Sequence, residues 1–167
     1  QTCALPIYLD RIDWSNAHLA NAILDDASLN GASLCVANLR GARLKNASLE
    51  RADLFKANLT EAWLSGASLS NAWLDWAILH GSQLSLAKFQ NANFSATELS
   101  FAAVKNTDFT DAKHLDEQQL ADTVGDGSTI LPANILTPRS ETWTDKVLPS
   151  EAFFSLWRNV KKQAGMT

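Results

Sequence analysis

Every fifth residue from Leu19 to Val104 is Leu, Phe or Val, and the residue two places before each of them is Ala, Ser or Thr. A period of five matches neither the 3.6 residues of a helical turn nor the two residues of a strand repeat. It matches a chain that turns a corner every five residues, so that four pentads close one square coil of about 20 residues and successive coils stack. The large residue fills the inside of each side, and the small residue fits beside the corner. The spacing therefore predicts an all-β solenoid with a core one side chain wide.

The pentads also share a local sequence pattern. Segments such as Ala27–Gly31, Ala52–Lys56 and Ala57–Glu61 begin with Ala, a polar residue and Leu. This pattern resembles the pentapeptide repeat family, whose consensus is Ala-(Asp/Asn)-Leu-X-X, and the resemblance covers about 20 consecutive pentads. It implies a right-handed quadrilateral β-helix. It implies little about activity, because one fold serves many functions.

The first seven residues differ from the rest of the chain. Residues 1–7 are the in-frame translation of a nucleotide string that resembles a common short-read sequencing adapter. Adapter-derived residues carry no information about a fold, so the prediction is that this segment is not native and that the natural N-terminus is missing, which leaves open whether more coils or a different domain lie upstream. Residues 8–114 are predicted to form the β-helix, in roughly five coils.

Residues 115–167 are predicted to close the end of the solenoid. The pentad phase breaks at Lys113–Leu115, and Asp116 then offers an N-cap for a short helix. Such a helix would cover the last coil, whose edge would otherwise be open to pairing. An extended linker follows, and a final helix begins at Ser150. Four apolar residues fall on one side of that helix: Phe153, Phe154, Trp157 and Val160.

Charge and composition exclude several classes of function. The net charge is −4, and residues 8–114 carry 11 acidic and 9 basic side chains that are interspersed. Binding of nucleic acid would need a basic stripe, so none is expected. No apolar run approaches the ~20 residues that a membrane span needs. Cys3 and Cys35 match no disulfide framework or metal spacing, which makes a reduced, cytoplasmic setting the expectation.

One side of the predicted coil, marked inside by Leu34 and Leu54, is unusually apolar on its outer surface. The outward residues concerned are Cys35, Val36, Phe55, Trp73 and Trp76. An apolar cluster of this size predicts a covered surface. The favoured cover is the chain's own C-terminal tail, which has aromatic side chains to bury. The alternative is a partner protein or a second subunit, and hence a possible homodimer.

Polar residues also repeat from coil to coil. Ser28, Ser48 and Ser68 stack at intervals of 20, and such ladders predict hydrogen bonds between coils; a flat surface matching a repetitive ligand is the alternative. The strongest basic cluster is predicted to be a solvated, partly neutralised patch. Its members are Arg40, Arg43, Lys45 and, further away, Arg51, with Asp25, Asp26 and Glu61 on neighbouring coils.

The sequence shows no assembly of catalytic groups. His18 and His80 lie three coils apart, and His114 ends the last coil. Carboxylate pairs such as Asp25–Asp26 lie on a convex rod that has no pocket to desolvate them. We therefore expect no catalytic, cofactor or metal site, and a non-enzymatic scaffold that binds an unidentified protein partner or itself. Two alternatives stay open: a DNA mimic that protects a topoisomerase, as in the fluoroquinolone-resistance members of the family it resembles, and the soluble part of a larger membrane-linked repeat protein.

Overall fold

The computed structural model of the chain describes residues 7–135 and 142–166. The prediction about the adapter-like segment falls on residues 1–6, which lie outside this part, and on Ile7. The carbonyl of Ile7 accepts a hydrogen bond from the Ser28 amide at 2.8 Å, so the backbone pairing between coils begins there.

Backbone pairing follows the pentad repeat along the rod. Parallel bridges join residues 20 apart in an unbroken series from Tyr8↔Ser28 to Asn93↔Lys113. Each bridged segment is followed by a β-turn, in which the amide at the Ala position donates to the carbonyl at the Leu position three residues earlier. Ala57 N to Leu54 O, at 3.0 Å, is one example. Four pentads therefore make one coil, as the spacing predicts.

The turns impose one backbone conformation on every corner. The residue two places after each central Leu has φ near +60°, as at Asn46 (φ 57) and Gly66 (φ 72). A positive φ at the third residue of a four-residue turn is the type II requirement, which Gly and Asn meet at least cost. At Gly81 the absence of a side chain also leaves room for the tail, because a Cβ there would lie 2.2 Å from the Met166 methyl group.

The core is a column of central Leu and flanking Ala residues, which are fully buried from coil two to coil four. Phe89, Phe94 and Phe109 replace Leu in the later coils and pack together with ring centroids 5.2 to 5.6 Å apart. Where Ser or Thr stands at the Ala position, its hydroxyl donates a hydrogen bond to a backbone carbonyl. Thr97, for example, donates to Leu74 O at 2.7 Å, so its buried oxygen is satisfied.

A short helix covers one side of the last coil. Helix α1, Glu117–Leu120, begins at the N-cap Asp116, whose carboxylate accepts from the Gln119 amide while the Gln119 side chain accepts from the Asp116 amide. The predicted N-cap is therefore confirmed. The same Gln119 side chain donates to the Phe94 and Thr97 carbonyls at 2.7 and 3.0 Å. It thus gives a donor to the Thr97 carbonyl and a second donor to the Phe94 carbonyl, which also accepts from the Thr97 amide.

An indole closes the end of the core. Strand β1, Gly125–Asp126, pairs in parallel with strand β2, Trp143–Thr144. The Trp143 side chain is buried, and its Nε1 donates to Thr123 Oγ1 at 2.9 Å. A Cβ on Gly125 would lie 2.6 Å from the Trp143 ring, so only glycine lets the indole lie flat on this strand. Helix α2, Ser150–Gln163, then runs back along the outside of the rod.

Candidate interaction surfaces

The five outward apolar residues singled out in the sequence come together at one edge of the rod, which we call the aromatic corner. Its members are Cys35, Val36, Phe55, Trp73 and Trp76. They belong to three successive coils, since residues 33, 53 and 73 are joined by bridges. Trp73 is 62% exposed and Trp76 is 59% exposed, whereas Cys35 is half-buried.

Charged groups surround the aromatic corner without covering it. The Lys56 ammonium lies 5.1 Å from the centre of the Phe55 ring, a cation–π contact. Asp53 accepts from the Phe55 amide at 3.0 Å, and Asp75 accepts from the Asn93 side chain at 2.9 Å. An apolar centre with a polar rim is typical of a protein-binding surface.

The Cys35 thiol is not an activated nucleophile. Burial raises the pKa of Cys35, and the hydrogen bond and negative charge of Asp53 raise it further. The thiol is therefore protonated at neutral pH, and the thiolate is the reactive form. Cys35 contributes to this corner as a small apolar side chain.

The expectation that the C-terminal tail covers the aromatic corner is corrected by the structure. Helix α2 packs on the side of the rod that carries Trp63, Gln83 and Ala103, which we call the tail side. Phe153 is fully buried there against Ala103 and Val124. The Trp157 indole donates to the Phe101 carbonyl at 2.8 Å.

Two features explain why helix α2 packs on the tail side. Ala103 is a small outward residue where the three preceding coils have Gln83, Trp63 and Arg43, so the last coil offers a flat surface to Phe153. A buried ion pair, which we call the tail latch, adds polar anchoring: Lys105 Nζ lies 2.7 Å from Asp126 Oδ2 and 2.6 Å from the Leu148 carbonyl. The aromatic corner has projecting indoles and no such anchor. The outward Ala103 was the sequence signal that could have located the docking site.

The tail latch is held by a full set of hydrogen bonds to Asp126. Its carboxylate also accepts from the amides of Leu148 and Ser128, each at 2.9 Å, and from the Ser128 hydroxyl. Burial by itself raises the pKa of Asp126, but these bonds and the Lys105 ammonium together lower it below its ordinary value. The Gly-Asp-Gly-Ser segment is therefore the point at which the tail is fastened to the rod.

The polar surfaces behave as the sequence predicts. Ser28, Ser48 and Ser68 each donate a hydrogen bond to a side chain of the preceding coil, at 2.6 to 3.1 Å. The basic cluster is partly neutralised, since Arg43 pairs with Asp25, and Arg40 lies 3.3 Å from Glu61. Both patterns stabilise contacts between coils.

The histidines are placed apart. His80 exchanges a hydrogen bond with Ser100 at 2.8 Å and lies edge-on to Phe101, while His18 is exposed near the other end of the rod. His114 adopts a positive φ of 55° where the last coil passes into the cap. In the part of the chain that the structure describes, no three His, Cys, Asp or Glu side chains are grouped so as to hold a metal ion. Neither helix in that part has the length and apolar content that crossing a bilayer requires.

Comparison with known proteins gives a consistent picture of the fold. A family model described as Pentapeptide repeats matches residues 8–35, 37–71 and 77–113, in eight copies and over more than half of the chain. No curated protein sequence matches.

The solved structures that are similar to the chain include the following three. The plasmid-mediated fluoroquinolone resistance protein QnrB1 is 16% identical, with a TM-score of 0.60 over 89% of this chain and 72% of QnrB1. A pentapeptide repeat protein of the Arabidopsis thaliana thylakoid lumen is 32% identical over 66% of this chain and 70% of its own, with a TM-score of 0.41. HetL, involved in heterocyst differentiation regulation in the cyanobacterium Nostoc sp. strain PCC 7120, is 29% identical with a TM-score of 0.32, over 64% of this chain and 63% of HetL. The family match, together with the likeness to QnrB1 at a TM-score above 0.5, supports a quadrilateral β-helix solenoid.

Proposed function

Because the chain belongs to the pentapeptide repeat family, we propose that it is a non-enzymatic scaffold, a right-handed β-helical rod that binds a protein partner through its aromatic corner. The observation that carries the proposal is the exposure of Trp73 and Trp76 on a rod whose own tail packs elsewhere. Large exposed aromatic side chains that cluster are the usual anchors of protein interfaces.

The geometry of the corner suits a binding hot spot. Its residues occupy three successive coils, which are about 4.8 Å apart in a β ladder, so the apolar centre is compact. The backbone between them is fixed by hydrogen bonds on both sides, as at Val36 N to Phe55 O, 2.8 Å. A rigid surface loses little conformational entropy on binding, which favours affinity.

The described residues contain no desolvated cluster of titratable groups, and this also fits a scaffold. The buried ion pair of Lys105 and Asp126 is fully used in fastening the tail. The Cys35 thiol is protonated, and the hydroxyls of Ser28, Ser48 and Ser68 are used in hydrogen bonds between coils. None of these groups is arranged as a nucleophile beside a base.

The two alternative functions find less support. A DNA mimic needs a strongly acidic surface, and the β-helix of this chain has 11 acidic against 9 basic side chains, some of which neutralise one another. The likeness to QnrB1, at 16% identity, concerns the fold alone. A membrane-linked role would depend on segments other than helices α1 and α2.

Site-specific photo-cross-linking in cells tests the proposal. Benzoylphenylalanine is placed at Trp76 or, as a matched control, at Leu86, which is also an exposed corner residue with positive φ but lies at the opposite corner of the square. We expect a discrete cross-linked species from position 76 only, and its loss when Trp73→Lys is added. A species of twice the chain mass would identify the partner as a second copy. Equal cross-linking from both positions, or none from position 76, would refute the proposal.

A further inference from the structure

A groove runs along the tail side where helix α2 ends. Beside the helix it has a volume of about 790 Å³, and a second hollow of about 600 Å³ continues it across the N-terminal coils, past Ile23 and Arg43. The two hollows share Asn21, Gly41 and Trp63, so they form one continuous groove. It extends over four successive coils, from Asn21 to Gly81, or about 14 Å along the rod.

The floor and one wall of the groove are apolar. Trp63 projects into it with 58% of its surface exposed, and Ile23, 67% exposed, continues the floor. Phe154, Trp157 and Met166 form the wall on the helix side, and all three are only half-buried. The apolar surface that buries the first half of α2 therefore extends beyond the helix without a cover.

The charges around the groove are unbalanced. Lys161 pairs with Glu61 at 3.7 Å, and Arg43 pairs with Asp25. The remaining cations at the rim are Lys45, Arg158 and Lys162, and all three are exposed. None of these three takes part in a salt bridge within residues 7–135 and 142–166. The groove is thus locally basic on a chain whose net charge is −4.

We propose that this groove binds an acidic amphipathic helix of another protein. The tail side already packs one amphipathic helix, since α2 buries Phe153 on Ala103. Beyond the end of α2, where Lys161 and Met166 lie beside Glu61 and Gly81, the groove continues to Asn21 over about 10 Å, the length of six or seven helical residues. Apolar side chains three and four residues apart would contact Trp63 and Ile23, and carboxylates on the flanks would pair with Arg158, Lys162 and Lys45.

Charge and shape argue against two other occupants. The α2 helix of a second copy carries one acidic and three basic residues, so the basic rim would repel it. A small ligand usually has most of its surface buried, whereas this groove is open along its length, as the exposure of Trp63 shows.

Selection of displayed peptides tests the proposal without knowledge of the partner. Random peptides of about 16 residues, roughly four helical turns, are selected on the full chain. We expect the enriched peptides to have apolar residues at helical spacing together with Asp and Glu. Their affinity, measured by fluorescence anisotropy, should fall at least about tenfold in Trp63→Ser and in Arg158→Glu with Lys162→Glu, and should weaken with salt.

A matched control separates this groove from the aromatic corner. Trp73→Lys with Trp76→Glu changes two exposed tryptophans outside the groove and should leave peptide affinity unchanged, with circular dichroism confirming that every variant is folded. Enriched peptides without acidic residues, equal binding to the groove variants, or no enrichment would each overturn the proposal. Self-association that Trp63→Ser abolishes would overturn it in favour of a second copy. Binding of dodecanoate that depends on Trp63, in the absence of peptide binding, would overturn it in favour of a small amphiphile.

Discussion

At the scale of single residues, each corner of the coil demands a positive φ from whatever side chain the sequence places there. Asn46 and Asn71 meet this demand easily, but Val36 and Trp76 adopt φ 59 and φ 60 at a steric cost. For a β-branched residue the left-handed conformation is a genuine outlier, and such strain tends to persist where function requires it. Val36 is the one β-branched residue with a positive φ in the described part of the chain, and it belongs to the aromatic corner.

Replacing Val36 with Asn should therefore stabilise the rod. Asn tolerates the left-handed conformation, so Val36→Asn is expected to raise the free energy of unfolding by about 1 kcal/mol. The measurement is chemical denaturation. Val147→Asn is the matched control, because Val147 is similarly exposed and has no positive φ. An equal change in both variants would contradict the argument from backbone strain.

Two buried hydroxyls offer a second test at this scale. Thr107 Oγ1 donates to Leu84 O at 2.8 Å, whereas Ser85 Oγ is buried without a hydrogen-bond partner among the described residues. Thr107→Val should cost about 1 kcal/mol or more, because it leaves the core methyl groups in place and removes the bond. Ser85→Ala should be neutral or stabilising, because it removes an unpaired polar group. Thermal unfolding of the two variants checks the contrast, and a larger loss for Ser85→Ala would contradict it.

At the scale of elements, local signals located the helices and long-range packing placed them. Asp116 and Gln119 form a capping box that can be recognised from neighbouring residues, and Phe153, Trp157 and Val160 mark the buried side of α2. The side of the rod that receives α2 depends on contacts between residues far apart in sequence. The hydrogen bond of Trp157 to Phe101 is one of these. The number of outward aromatic residues favoured the aromatic corner as the docking site. That number reflects how much apolar surface a side of the rod has, and not how well the side fits a helix.

The tail latch makes the docking of α2 dependent on pH and on Asp126. Asp126→Asn leaves the buried Lys105 ammonium without its counter-ion, which typically costs about 3–5 kcal/mol. We expect the α2 amides to exchange hydrogen much faster in this variant, while amides of the central coils stay protected. Asp145→Asn, which changes an exposed carboxylate, is the control.

The pH dependence follows from the lowered pKa of Asp126. A carboxyl whose pKa is lower in the folded than in the unfolded state stabilises the fold above its unfolded value, near 3.8, and this contribution is lost as pH falls through the folded value. Protection of α2 should therefore decline below about pH 4 in the wild type, and Asp126→Asn should lack this step. A wild-type profile that is flat down to pH 2 would show that Asp126 does not hold the helix.

At the scale of the whole molecule, the solenoid is a one-dimensional stack in which each coil contacts only its neighbours. That is why a single spacing in the sequence sufficed to predict the coil of four pentads, and why Leu54 and Leu74 occupy equivalent, fully buried sites. The cap was less predictable, since an insertion changes the bridge spacing to 21 at Ala103↔Val124 and to 22 at Asp108↔Ile130. Beyond that point no repeat defines the position of a residue.

Removal of one complete coil should leave a folded, shorter rod. Deletion of residues 36–55 joins Cys35 to Lys56, so 20 residues are lost and every later residue keeps its place on the same side of the square. The groups that hold the tail, among them Phe101 and Lys105, are retained. Small-angle scattering should show a rod about 4.8 Å shorter, and circular dichroism should keep its β signal. Deletion of residues 36–53 is the matched control: it removes 18 residues, moves central Leu positions out of the core and should prevent folding. If both deletions fold, or neither does, the stack does not have the four-pentad register that the spacing and the bridges indicate.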